Sequence, residues 1–225
     1  MQLPTEITEE LAEETGWHIG DGSMNYYKNN GKLKGLYSLR GHIIDDKPHY
    51  IERIKPIFKQ LYDLDVPIHE MPITSVFGFQ VWNDALIKFK ESLGLPLGEK
   101  KNITIPKHFL ISDKLKAAVI RGIFDTDGCV YLEHKHSKLY PSMQFSTTSL
   151  PLAKQVHEIY LSLGLRATRH SYEHKDHPNW STINQVWIRG VEMLHKFMQI
   201  INPQNPKHIK KYLSFCENSI RTTKA

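Results

Sequence analysis

The sequence predicts an α+β fold built from two copies of one α-β-β-α-β-β-α unit. Three short matches recurring in the same order carry that reading. Gly16-Trp17-His18-Ile19-Gly20-Asp21-Gly22 resembles Gly122-Ile123-Phe124-Asp125-Thr126-Asp127-Gly128 at an offset of 127 − 21 = 106. Gln80-Val81-Trp82 recurs as Gln185-Val186-Trp187 at offset 105, and Leu86-Ile87-Lys88-Phe89 as Leu194-His195-Lys196-Phe197 at offset 108. Offsets this close mark two diverged copies of one unit.

The elements follow in order. Thr5 to Gly20 reads as a helix with Ile7, Leu11 and Thr15 on one side, stopped by Gly-Asp-Gly. Met24 to Lys28 alternates as a strand, and Tyr37 to Ile43 does the same, with Ser38, Arg40 and His42 facing away from Tyr37, Leu39 and Ile43. Pro48 to Leu61 is an amphipathic helix through Ile51, Ile54, Ile57 and Phe58. Ile68 to Ile73 and Ser75 to Trp82 form a hairpin, and Asp84 to Leu93 a helix. Residues 94–111, rich in Gly, Pro and Lys, separate a first half (1–93) from a second (112–225). Ser112 caps a helix running from Asp113 to Phe124. Strands Val130 to Lys135 and Ser142 to Thr148, helix Leu150 to Leu163, strands Arg166 to Tyr172 and Thr182 to Ile188, and helix Val191 to Ile200 repeat the order. Pro206 to Asn218 is a last helix.

Composition sets bounds. The chain has 225 residues, with 29 Lys and Arg against 24 Asp and Glu, a net charge of +5. A modest basic excess suits a polyanionic partner without requiring one. Hydrophobic content of 40% is globular, and no apolar run reaches the ~20 residues of a membrane span. The N-terminus carries no secretory signal, and two distant cysteines, Cys129 and Cys216, point to a reducing intracellular compartment, the cytoplasm of a prokaryote or an organelle.

The chemistry concentrates at the two Asp-Gly helix ends. Ala12 and Gly16 share a helix face, as do Ala118 and Gly122. Small residues there let the two helices approach closely. Packed side by side, they bring Asp21 and Asp127 together at C-terminal ends that already carry partial negative charge. A divalent cation resolves the conflict. Two carboxylates with the nearby carbonyls of Gly20 and Thr126 make an oxygen-rich Mg²⁺ site, completed by water and substrate phosphate.

Gly122 to Gly128 resembles the LAGLIDADG motif of homing endonucleases, and Gly16 to Gly22 is similar to a second copy. Ile19 replaces the motif's first Asp in that copy, and Trp17-His18 replace two aliphatic residues. The resemblance implies a single-chain endonuclease with saddle-shaped antiparallel sheets lying in the major groove of a long duplex DNA target. The acidic position before the final Gly maps onto Asp21 and Asp127. It also implies monomeric action as a pseudo-dimer, with Mg²⁺ or substituting Mn²⁺ activating water and stabilising charge at each scissile phosphate. The family's basic residues near the metal suggest Lys100 and Lys207, at offset 107, with Lys101 and Lys210 as rivals. Gln80 and Gln185 are candidates for orienting water, with a structural role as the competing reading.

Outward strand positions are the expected readers of bases and phosphates. In the first half these are Asn25, Tyr27, Arg40, His42, Glu70, Thr74 and Ser75. In the second they are Tyr131, Glu133, Gln144, Ser146, Arg166, Arg169, His170, Tyr172 and Asn184. Lys28, Lys32 and Lys34 in one loop, and Lys135 and Lys138 in another, are expected to clamp backbone phosphates. A zinc site from His170, His174, His177 and Asp176, with His134 and His136 nearby, competes poorly, because the spacing fits no standard motif. The alternative function is a DNA- or RNA-binding protein of the same fold that has lost cleavage, an intron maturase or regulator.

Overall fold

The computed structural model describes residues 1–135, 138–173, 176 and 179–223. The first half runs α1 (Glu9–Gly20), β1 (Gly22–Asn29), β2 (Lys32–His42), α2 (Lys47–His49), a π turn (Tyr50–Ile54), α3 (Lys55–Tyr62), β3 (His69–Met71), β4 (Val76–Trp82) and α4 (Asp84–Ser92). The second runs α5 (Asp113–Asp127), β5 (Gly128–Lys135), β6 (Lys138–Thr147), α6 (Leu150–Ser162), β7 (Ala167–Tyr172), β8 (Ile183–Arg189), α7 (Val191–Ile200) and α8 (Pro206–Thr223). Each half has one four-stranded antiparallel sheet, ordered β1-β2-β4-β3 and β5-β6-β8-β7.

Several element boundaries differ from the sequence reading, each for a local reason. α1 starts at Glu9, because the Thr8 hydroxyl accepts from the Leu11 N–H and caps it there. Lys28 to Lys34 is not a loop. Asn30 and Gly31 take left-handed backbone conformations (φ 50° and 76°) and close a two-residue hairpin, the turn that Asn-Gly favours. The expected helix from Pro48 is interrupted, since Pro56 has no N–H to continue the ladder. The Lys55 N–H bonds the Tyr50 carbonyl instead, and the widened turn leaves Ile51 exposed. α5 continues to Asp127, three residues beyond the expected Phe124. The 94–111 segment, expected as a linker, is packed rather than loose. Leu95, Ile103, Ile105 and Phe109 are buried, and both backbone groups of Ile105 bond the Gln155 side chain.

The core lies between each sheet and its helices. Tyr37, Leu39, Phe77 and Phe79 face α1 and α3, and Val130, Met143, Phe145, Val186 and Ile188 line the corresponding layer. The opposite face of each sheet is open.

Buried charge ties the halves together. Glu13 on α1 is held by Arg53 of the first half and Arg121 of the second, both through Oε2 (2.8 and 2.9 Å). Glu14, fully buried, accepts from Lys90 and Tyr62, and from Tyr37 at 3.3 Å. Such pairs specify the helix arrangement rather than add large net stability.

Candidate functional site

α1 and α5 meet through glycines. A Cβ on Gly16 would lie 2.8 Å from the Gly122 Cα, and one on Gly122 would lie 2.9 Å from the Gly16 Cα and the Trp17 N. No side chain fits between the backbones. One turn further, a Cβ on Gly20 would stand 3.3 Å from Asp127 Oδ2 and would collide with the Thr126 hydroxyl. Of the expected small-residue faces, Gly16 and Gly122 pack together, Ala12 and Ala118 are both buried, and the helix ends carrying Asp21 and Asp127 converge.

Both carboxyl pKa values are raised, chiefly by burial. Asp21 is pushed up to about 7, first by burial and then by the charges of Asp127 and Asp46. Asp127 is pushed to about 6, by burial and by Asp46. The Asp127 side chain nevertheless reaches solvent, in an open cleft lined also by Ile19, Gly20, Glu99, Lys100 and Ser146. Surrounding protein thins its hydration while leaving it accessible to an incoming group.

The paired lysines stand at the helix ends. Lys100 Nζ donates to the carbonyls of His18 (3.2 Å), Ile19 (3.0 Å) and Gly20. Lys207 Nζ donates to the Thr126 carbonyl (3.3 Å) and to Asp46 Oδ1 (2.9 Å). Each ammonium thus offsets the negative end of one helix dipole. Lys101 lines the cleft beside Lys100. Asp46, buried at the start of α2, was not marked by any motif and is an addition from the structure.

The donor set suits a hard divalent cation. Two crowded carboxylates with raised pKa values supply negative oxygen ligands, and Mg²⁺ typically takes one or two carboxylates with water and phosphate completing the shell. The carbonyls of Gly20 and Thr126 each accept from a lysine already. Among the described residues no group of three or more His, Cys, Asp or Glu converges as a metal cluster. His136, His174 and His177 of the rival zinc set lie outside the described residues.

Behind the carboxylates sits a buried polar layer. Asp125 accepts from the N–H groups of Gln204 and Asn205, and His49 lies 4.0 Å from Asp125 Oδ2. Burial lowers the His49 pKa from 6.5 to about 3, so it is neutral in the fold. Its folded pKa lies below its unfolded one. Its stabilising contribution is therefore present above pH 6.5 and is lost as pH falls towards about 3. His49→Phe, which keeps the edge-to-face contact with Trp17, is expected to flatten the decline in melting temperature across that window. Parallel wild-type and variant curves would refute this assignment.

The open sheet faces collect many of the expected polar residues. Strand register places Asn25, Tyr27, Lys32, Lys34, Arg40, His42 and Gln80 on the first, and Tyr131, Glu133, Gln144, Ser146, His170, Tyr172 and Gln185 on the second. Lys135 and Lys138 pair at the tip of the β5-β6 hairpin, but their side chains lie outside the described residues.

Seven expectations fail on geometry. Glu70 pairs in register with the buried Phe77, so it projects to the helix side, where it bonds Lys47 (2.7 Å). Lys28 is opposite Leu33 and shares that side. Thr74 and Ser75 sit in the turn between β3 and β4 rather than on a strand. Arg169 is opposite the buried Val186, and Arg166 precedes β7 and pairs with Glu192 of α7 (2.8 Å). Asn184 is buried against Ser171 and the Thr147 carbonyl. A one-residue slip in strand register moves a side chain to the other face.

Gln80 and Gln185 are not symmetric. Leu39 pairs with Phe79 and its counterpart Phe145 with Val186, an offset of 186 − 79 = 107 rather than 105. Gln80 therefore corresponds to Trp187, and Gln185 to Gly78. Gln80 donates to Ser38 Oγ (3.1 Å), and Gln185 accepts from Trp187 Nε1 (3.2 Å). The sequence reading also missed His69, Trp187 and Arg189 on the open faces. The Arg189 guanidinium stacks over Trp187 at 4.5 Å from the ring centroid.

Two glycine-packed helices, each ending in a carboxylate and each feeding a four-stranded sheet with an open polar face, define a duplicated LAGLIDADG architecture. Residues 114–202 match the LAGLIDADG-like domain family, and the chain as a whole has the single-chain LAGLIDADG endonuclease fold, with two similar halves. The structure of the homing endonuclease I-DmoI in complex with DNA and manganese superposes with a TM-score of 0.60 at 19% identity, covering 86% of this chain and 96% of that one. That of the meganuclease I-AabMI bound to uncleaved DNA gives 0.60 at 14% identity, covering 97% and 92%. Among curated sequences, a glutamine–fructose-6-phosphate aminotransferase of Methanocaldococcus jannaschii is 23% identical over 203 residues, 89% of this chain and 17% of that protein. A replication factor C small subunit of the same organism is 26% identical over 217 residues, 95% of this chain and 10% of that protein. The chain thus spans only a sixth or less of the length of these relatives.

Proposed function

We propose that this protein is a site-specific endonuclease of double-stranded DNA, encoded within an intron. It acts as a monomer inside the cell and breaks both strands by phosphodiester hydrolysis with Mg²⁺, for which Mn²⁺ substitutes. One observation carries the reading: Asp21 and Asp127 are held together at the ends of two packed helices, each with its pKa raised. A fold serving stability alone has no use for two carboxylates in that position. The cation, when bound, supplies charge neutralisation and an activated water. Lys100 and Lys207 hold positive charge within reach of a phosphate, and the open faces present Arg40, Gln144, Asn25 and Arg189 to base edges.

The solved structures with the same fold include DNA complexes, which supports the same partner here. Segments of this length matched inside two proteins named for unrelated activities fit a module carried from host to host. No aminotransferase or replication-factor function is transferred by a match to so small a share of either protein. No helix among the described residues is long and apolar enough to cross a membrane.

The test is cleavage of duplexes recovered from a randomised library by binding to the protein, and of the uninterrupted allele of the host gene. A double-strand break in Mg²⁺ that disappears with EDTA is expected. Sequence-specific binding that never leads to cutting in Mg²⁺ or Mn²⁺ would favour the maturase or regulator reading. Binding that does not weaken with salt would remove DNA as the partner, since phosphate contacts release counterions.

A further inference from the structure

The two carboxylate centres have different surroundings. Asp127 shares its cleft with Lys100. Lys207 instead bonds the Thr126 carbonyl at the end of α5. The two lysines thus sit at opposite helix ends with different partners.

The difference arises at one pseudo-symmetric position. Asp46 precedes α2 and Ser149 precedes α6, each as the helix N-cap. Ser149 Oγ donates to the Ile103 carbonyl (2.7 Å), in the segment that carries Lys100. Asp46 faces the start of α8 and accepts from Asn205 Nδ2 (2.7 Å), just before the helix, and from Lys207 Nζ (2.9 Å) in its first turn. It also accepts from the His42 N–H (2.7 Å), so its carboxylate is fixed on three sides. It is 5% exposed. Among the described residues Lys100 bonds three carbonyls and no carboxylate, whereas Lys207 carries an ion pair.

We propose that Asp46 is a positioning residue that locks Lys207 at the α5 end of the site, so that the two strand-cleaving centres are chemically unequal and each answers separately to substitution. The inference rests on the nuclease reading. A charge-assisted bond to a buried, triply held carboxylate fixes an ammonium that would otherwise sample many rotamers. Ser149 cannot do this for Lys100. No covalent step is assigned to Asp46.

The experiment labels each strand of a library-selected cleavable duplex separately and follows both nicks in Mg²⁺ for wild type, Lys207→Met, Asp46→Asn and Asp46→Ser, the last copying Ser149. Either Asp46 variant is expected to slow one nick by roughly tenfold, the same strand that Lys207→Met affects, while the other stays within about twofold. A nicked intermediate with a single defined break then accumulates. Equal slowing of both strands, or no slowing, overturns the proposal.

A second readout needs neither metal nor DNA. The Lys207 ammonium resonance in a ¹H–¹⁵N spectrum, assigned by its loss in Lys207→Met, is expected in wild type and broadened away in Asp46→Asn. Its persistence there counts against positioning. This readout also separates the two failures. A wild type that never cuts sinks the nuclease reading, while the ammonium spectrum still decides whether Asp46 holds Lys207. Unchanged melting of Asp46→Ser keeps a folding defect from mimicking the expected result.

Discussion

Asp21→Asn and Asp127→Asn are each expected to lower double-strand cleavage by about a thousandfold or more, while duplex affinity stays within roughly threefold. Asn keeps the shape and volume of the side chain, so the glycine-packed helices need not move. It removes the charge on which a cation site depends. The residues placed on the open faces are untouched, and so is the basic charge proposed to meet backbone phosphates.

The raised pKa values add a second, independent readout. A carboxyl whose folded pKa lies above its unfolded value favours the fold below about pH 4, and that contribution is lost as pH rises through about 7 for Asp21 and about 6 for Asp127. Without metal, each Asn variant is therefore expected to melt at a higher temperature than wild type at pH 8, and the gap should close towards pH 4. Full cleavage by either variant would remove the carboxylates from the mechanism. Lower melting at pH 8 would contradict the electrostatic account of the site.

Gly122→Ala is expected to be the most damaging small substitution in the protein. The added methyl meets the α1 backbone, the Gly16 Cα and the Trp17 N at 2.9 Å, with the Glu13 carbonyl closer still. Backbone cannot rotate away as a flexible side chain can, so α1 and α5 must separate. Overpacking of this kind costs about 3 kcal/mol, or about 6–12 °C in melting temperature for a chain of this size. The separation also moves Asp21 from Asp127, so cleavage should fall in the fraction that remains folded. Gly31→Ala provides the contrast. Nothing lies within 4 Å of its Cβ position, and only the left-handed backbone (φ 76°) opposes it, for about 1 kcal/mol. Equal melting of the two variants would mean that the helix crossing tolerates a side chain.

Much of this molecule was legible in its sequence because the signals were local. The duplication shows as repeated strings, and the strands as alternation. The Ser112 cap shows as a hydroxyl before an apolar period, and its Oγ accepts from the Leu115 N–H. The small faces at Gly16 and Gly122 implied a close crossing, and the crossing placed Asp21 beside Asp127. The errors were local too. Asn30-Gly31 is a two-residue turn signal that closes β1 onto β2, and Pro56 breaks a helical period from within.

What the sequence determined by itself was therefore the number of units, the order of elements and the two acids at the helix ends, since each depends on residues close together in the chain. Register and partnership belonged to the tertiary structure. Glu70, Arg169 and Asn184 are polar residues of ordinary strand composition, and only the pairing of β3 with β4 and of β7 with β8 decides which side they occupy, because side chains alternate every residue. Asp46 lies 161 residues from Lys207, a separation across which sequence carries no pairing signal. The packing of α1 on α5 and the return of α8 close that gap, and they turn an undistinguished helix cap into a neighbour of the acidic centre.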